Sequence, residues 1–256
     1  MAVKSLLLDI DGVIVRDRLL MAHVKDNCVR YVQNKLPECK DARNVNRVLY
    51  LTHGHTAKGL THSFGIDTSD FNDKVYDKQL LDHLAEVIHG ADFQAEAKEI
   101  HDFTKKGWDV TLFSNAPEVW SRRVARAVGD DVGLRCPAMD GPFKPAAEAY
   151  EDFSKVQTHV FVDDSLKNLG TARWLPNWHP IHFDAEGNGG ADSILVPNYK
   201  PWCPTIGSIW ELGLFLDTAD FLMDRHEPKD CPYSSSSSAS ASSAAASSSS
   251  SPHHHL

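Results

Sequence analysis

Asp9 and Asp11 stand two residues apart at the end of one of the oiliest stretches of the chain, "LLLDIDGVIV", residues 6–15. A carboxylate in apolar surroundings is costly unless it is neutralised or meets a cation. A strand-to-turn bend made by one Asp and Gly12 would explain a single acid. It explains the pair less well, so the pair points to acid or cation chemistry, and the elements that position it come next.

Four segments read as short buried parallel strands ending in polar residues: "KSLLLDID", "DVTLFSN", "THVFVDD" and "HPIHFDA". Helical patterns separate them. "DFQAEAKEIHDFTKKG" precedes the second strand, with Gly107 as its stop; "PAAEAYEDFSKV" precedes the third and "SLKNLGTARWL" follows it. Alternating strand and helix predicts a doubly wound α/β sheet, in which ligands bind beyond the carboxyl ends of the strands. Asp9, Asp11, Ser114, Asn115, Asp163 and Asp164 all fall there.

From about Arg16 to Gly90 the chain carries helical patterns and little that reads as strand. A crossover needs only a dozen or so residues plus its helix. The excess predicts a helical cap inserted after the first strand. The expected division is a core of residues 1–15 and 91–233, a cap of 16–90 and a tail of 234–256. That tail is Ser and Ala from Ser234 to Ser251, which offers nothing large to bury and is expected to be disordered.

The formal charge of −9 and the lack of a basic run argue against a nucleic-acid polymer as partner. No apolar stretch is long enough to span a bilayer, and Asp9 and Asp11 interrupt the leucines too early for a signal peptide. Five scattered cysteines without a C-x-x-C pair fit reduced thiols, so a cytoplasmic protein is expected.

The strand ends also resemble a known family. "DIDGV", "LFSN" with Ser114, "FKP" with Lys144 and "FVDDSLKN" with Asp163, Asp164 and Asn168 are similar, in order, to the four motifs of the haloacid dehalogenase-like hydrolases. The resemblance spans most of residues 1–217 and implies a Rossmann-like core. It implies that Asp9 is a nucleophile, already ionised at neutral pH, that forms an aspartyl-phosphate. Asp11 would protonate the leaving alkoxide and later take the proton of water. The dehalogenating branch lacks this second acid, so Asp11 points to phosphoryl transfer. Ser114 and Lys144 would hold the phosphoryl oxygens.

Crowded carboxylates beside a phosphate call for a hard divalent cation, and Mg²⁺ is the expected cofactor. The resemblance assigns its ligands to the Asp9 side chain, the Asp11 backbone carbonyl and the acids Asp163 and Asp164. Asp164 takes the direct-ligand place in the family pattern, Asp163 stands where Gly is usual, and Asn168 replaces a trailing Asp. The pair also reads as a cap for the helix that follows.

Within the cap, "YLTHGHTAKGL" places His53, His55 and Thr56 around Gly54, either as substrate contacts with Asn115 or as polar loop residues. The stretch resembles the cap of the pyrimidine 5′-nucleotidases of yeasts and plants, although Gly12-Val13 stands where that branch has Asn or Asp followed by Thr. The expectation is a phosphomonoester hydrolase acting on a small molecule, with pyrimidine nucleoside 5′-monophosphates favoured. A small sugar-phosphate or phosphoglycolate phosphatase, a phosphomutase and a non-catalytic binding protein are the alternatives.

Overall fold

The computed structural model describes residues 4–139, 141–153, 157–187 and 202–218. The Ser/Ala tract, its terminal histidines and Cys231 lie outside the described residues. Six strands follow in chain order: β1 (Lys4–Leu8), β2 (Trp108–Phe113), β3 (Gly133–Arg135), β4 (Thr158–Asp163), β5 (Trp178–Phe183) and β6 (Thr205–Ile206). All pair in parallel, in the spatial order β3-β2-β1-β4-β5-β6. The sheet is therefore doubly wound, and its order reverses at β1, which lies between β2 and β4. In such sheets the crevice for a ligand opens at that reversal.

The oily run of β1 follows from this central place. Successive side chains point to opposite faces. Leu6 and Leu8 enter one core while Leu7 enters a second with Phe113, Tyr150 and Phe161. Each of the three leucines is fully buried, which stabilises by about 1.5–3 kcal/mol per side chain.

Between β1 and β2 lie α1 (Arg18–Lys35), α2 (Ala42–His53), α3 (Thr56–Phe64), α4 (Phe71–Val75), α5 (Lys78–His89) and α6 (Ala91–Lys105). Aspartate side chains cap three of these helices: Asp17 accepts from Leu20 N at 2.8 Å, Asp41 from Asn44 N at 3.0 Å and Asp77 from Leu80 N at 2.9 Å. The insertion is helical, as its periodicity predicts. The remaining helices are α7 (Glu118–Val128), α8 (Leu166–Ala172) and α9 (Ile209–Thr218).

One expected helix is much shorter. Where the pattern predicts helix over 145–156, the described part holds a four-residue 3₁₀ turn, Ala147–Tyr150. Tertiary contacts win there. Tyr150 is buried edge-on against Phe113 and Trp178 and donates its hydroxyl to Asn168 O at 2.9 Å, while Phe153 packs on Phe113 and Trp178. Strands β3 and β6, too short for a periodic signal, and helix α9 were not read from the sequence.

Candidate active site

Asp9 is the first residue past β1, and its N–H still bonds to Val162 O of β4 at 2.9 Å. The sheet thus holds the acid at the β1–β4 crevice. Its Oδ1 accepts from Ile10 N at 2.7 Å and lies 3.1 Å from Lys144 Nζ. The chain then turns sharply, with Gly12 N donating to Val15 O at 2.9 Å and Val15 N to Ile10 O at 2.8 Å. Gly12 has φ +88°, and a Cβ there would sit 2.3 Å from Asp164 Oδ2. Only glycine lets this turn close against Asp164.

Lys144 is buried to 1% exposure. Its ammonium donates to Phe113 O at 2.6 Å and Asp163 Oδ2 at 2.7 Å, and lies within reach of Asp9, so all three protons have acceptors. Asn115 brackets the lysine backbone: its Nδ2 donates to Lys144 O and its Oδ1 accepts from Lys144 N, both at 2.8 Å. The amide expected to meet substrate is thus engaged in fixing the lysine loop. Ser114, at the end of β2, is buried and its Oγ accepts from Ala116 N at 3.0 Å. A hydroxyl that accepts in this way can still donate to an anion.

The two acids after β4 have different surroundings. Asp163 is fully enclosed and accepts from Lys144, from Ser165 N at 2.9 Å, and from Asn168 Nδ2 at 3.0 and 3.1 Å. These bonds occupy the acceptor capacity of a carboxylate. Neither acid caps α8 as expected: its N-cap is Ser165, with no side-chain cap hydrogen bond, and Asp163 instead closes a turn onto Ser165 N. Asp164 is half-buried against Gly12, and its backbone carbonyl lies 3.2 Å from His182 Nε2.

Asp9, Asp163 and Asp164 bring carboxylate oxygens within 4.8 Å of one another. Burial pushes the Asp9 carboxyl up to about 8, with Lys144 opposing and Asp163 and Asp11 adding to the rise, so the ionised state expected at neutral pH needs a cation beside it. Burial, then Asp163 and Asp9, hold Asp164 well above the usual range. Burial would lower the Lys144 ammonium, but Asp163 and Asp9 together raise it. One lysine therefore leaves the cluster short of positive charge. With Asp163 saturated, the oxygens of Asp9 and Asp164 are the donors that fit a hard divalent cation such as Mg²⁺.

Asp11 has a separate partner. Trp120 Nε1 donates to its Oδ1 at 3.0 Å. Burial raises the Asp11 carboxyl to about 6, against the opposing effects of Trp120 and Lys144. Neither Trp120 nor His182 was singled out from the sequence. A lone Trp in a helix and a His in a strand give no local signal, because their meaning lies in cross-chain contacts.

The cap residues go to different partners. Gly54 ends α2 at φ +73°, and a Cβ there would lie 2.5 Å from Lys144 O, so this break presses on the lysine loop. His55 is buried, stacked on Phe143 at 4.3 Å between ring centroids. Thr56 donates to Asn46 Oδ1 at 2.8 Å. His53 pairs with His62, ring centroids 5.1 Å apart, and lies 3.2 Å from Ser63 Oγ. Of the three, His55 stacks on Phe143, the neighbour of the lysine in the chain.

No family model and no curated protein matches the chain. Among solved structures it is similar to an L-2-haloacid dehalogenase, at 10% identity over 85% of this chain and 100% of that one, with a TM-score of 0.47. It is also similar to a predicted phosphoglycolate phosphatase from Haemophilus somnus, at 11% identity over 82% and 98% with a TM-score of 0.46. A third is a phosphoserine phosphohydrolase-like protein from Francisella tularensis, at 12% identity over 83% and 99% with a TM-score of 0.44.

Proposed function

We propose that the chain is a Mg²⁺-dependent phosphomonoester hydrolase of the haloacid dehalogenase type, working through an aspartyl-phosphate. The observation that carries this reading is Lys144, buried between Asp9 and Asp163 at the mouth of the β1–β4 crevice. An immersed ammonium bonded to the strand-end carboxylate fixes the position of that acid, as a carboxylate nucleophile requires.

Asp9 attacks phosphorus while the ester P–O bond breaks, and Asp11 gives its proton to the departing alkoxide. Asp11 then takes a proton from water, whose oxygen displaces Asp9 and yields inorganic phosphate. Ser114 steadies the phosphoryl oxygens, while Lys144, its N–H groups donating to Phe113 O, Asp163 and Asp9, holds the nucleophile. Asp9, Asp164 and the Asp11 backbone carbonyl would hold the cation, with Asp163 supporting Lys144 from behind. A cation held there supplies charge neutralisation for the phosphoryl group. Residues 16–90 act as the cap that covers the reaction.

The finer reading, a pyrimidine nucleoside 5′-monophosphate, rests on the cap sequence around Gly54. Phosphate release from a panel of nucleotides, sugar phosphates and phosphoglycolate, with Mg²⁺ or with EDTA, tests both levels. Release that requires Mg²⁺ supports the hydrolase, and the ranking of substrates tests the nucleotide assignment. Isomerisation of a phosphosugar without net release favours a mutase instead, and no turnover of any compound by folded protein favours a binding role.

A further inference from the structure

Trp120 lies in the first turn of α7, a few residues beyond Ser114, and is fully buried. A buried indole N–H needs an acceptor. Here the acceptor is a carboxylate, Asp11 Oδ1 at 3.0 Å. The ring also meets Tyr76 of the helical insertion edge-on, with centroids 5.5 Å apart and planes at 68°. The backbone of Asp11 is fixed independently by its bridge to Val15. Backbone and side chain are thus pinned by different segments.

The indole can only donate. Oδ1 therefore accepts, and because a carbonyl oxygen is the better acceptor, a proton on this carboxyl is favoured on the other oxygen. We infer that Trp120 is a positioning residue for Asp11: its N–H fixes the carboxyl rotamer, holds Oδ1 as acceptor and leaves Oδ2 as the oxygen that delivers and recovers the proton. This assignment rests on the proposed hydrolase reading, in which Asp11 is the acid. It adds a residue from outside the four motifs, and it makes the seat of the acid depend on the insertion through Tyr76.

The test separates positioning from structure by leaving group. An alkyl phosphate expels a basic alkoxide that needs a proton, whereas p-nitrophenyl phosphate expels a phenolate that does not. Trp120→Phe is expected to lower turnover of the alkyl ester about 10- to 100-fold, the range for a lost hydrogen bond to a charged group. Turnover of p-nitrophenyl phosphate should change less than about threefold. In an Asp11→Asn background, adding Trp120→Phe should have almost no further effect on the alkyl ester.

Should Trp120→Phe fail to fold, 3-benzothienyl-alanine at position 120 keeps the bicyclic shape, lacks the N–H and is expected to give the same pattern. Equal losses on both esters, no loss on either, or a full additional loss in the Asp11→Asn background would overturn the assignment. An active wild type with any of these results rejects Trp120 alone. A folded wild type that releases phosphate from neither ester rejects the hydrolase reading, and this assignment with it.

Discussion

Lys144 Nζ stands 2.7 Å from Asp163 Oδ2, and neither side chain has any solvent exposure. The pair is held on both sides: Asn115 grips the lysine backbone, and Asn168 with Ser165 N–H saturates the aspartate. Removing the lysine leaves buried carboxylates without the ammonium that compensates them. Lys144→Met is therefore expected to cost about 3–5 kcal/mol in urea unfolding, and the double change Lys144→Met with Asp163→Leu to cost less than Lys144→Met alone. A loss under about 1 kcal/mol for Lys144→Met would remove the pair from the account.

Cation binding should be visible without any turnover. A ligand that binds only the folded state at a hundred times its Kd adds about 2.7 kcal/mol of stability. Mg²⁺ is expected to raise the Tm of the wild type and to leave Asp164→Asn unchanged. Gly12→Ala should show a reduced rise, because its Cβ would fall 2.3 Å from Asp164 Oδ2. An undiminished Mg²⁺ shift in Asp164→Asn would take that carboxylate out of the ligand set.

Asn115 separates two roles by kinetics. Both ends of its amide hold Lys144, so Asn115→Ala loosens the lysine loop and leaves the substrate contacts in place. The expected outcome is a kcat reduced about 10- to 100-fold, with KM within a fewfold of wild type. A raised KM at unchanged kcat would instead make Asn115 a substrate contact.

His55 gives a pH signature in stability. Burial first, and Lys58 second, lower its pKa to about 4. The unfolded chain binds a proton near pH 6.5 that the folded protein excludes until about pH 4. Its contribution is complete above pH 6.5 and is lost as pH falls, by about 3 kcal/mol in total. His55→Phe keeps the ring against Phe143 and has no proton to take. Wild type should therefore lose about 3 kcal/mol more than His55→Phe between pH 6.5 and 4 in urea melts; parallel losses would place the imidazole in solvent.

Much of the platform was legible in the sequence because its signals are local. Leu6-Leu7-Leu8 before Asp9 and Val160-Phe161-Val162 before Asp163 mark buried strands that stop at polar ends, and the structure places both on the reversal of the sheet. The helical insertion was legible from periodicity. What stayed hidden depends on distant partners. Lys144 was named by the resemblance, but its burial among Phe113 O, Asp9 and Asp163 has no local signal. Trp120 gives no hint of Asp11, and Tyr150 with Phe153 breaks an expected helix by entering an aromatic cluster. The two acids of Asp163-Asp164 look alike in sequence, yet adjacent residues leave a strand end in different directions, so one is enclosed and the other faces Gly12.

The central claim is that Asp9 carries the phosphoryl group. Acid quenching during turnover of the best substrate, followed by mass spectrometry of the peptide containing Asp9, tests it directly. The account predicts a phosphoryl adduct on Asp9 that is labile to base, absent from Asp9→Asn and accumulated in Asp11→Asn with an aryl phosphate. An active wild type with no adduct on Asp9 under any quench time, or an adduct on another residue, would contradict it.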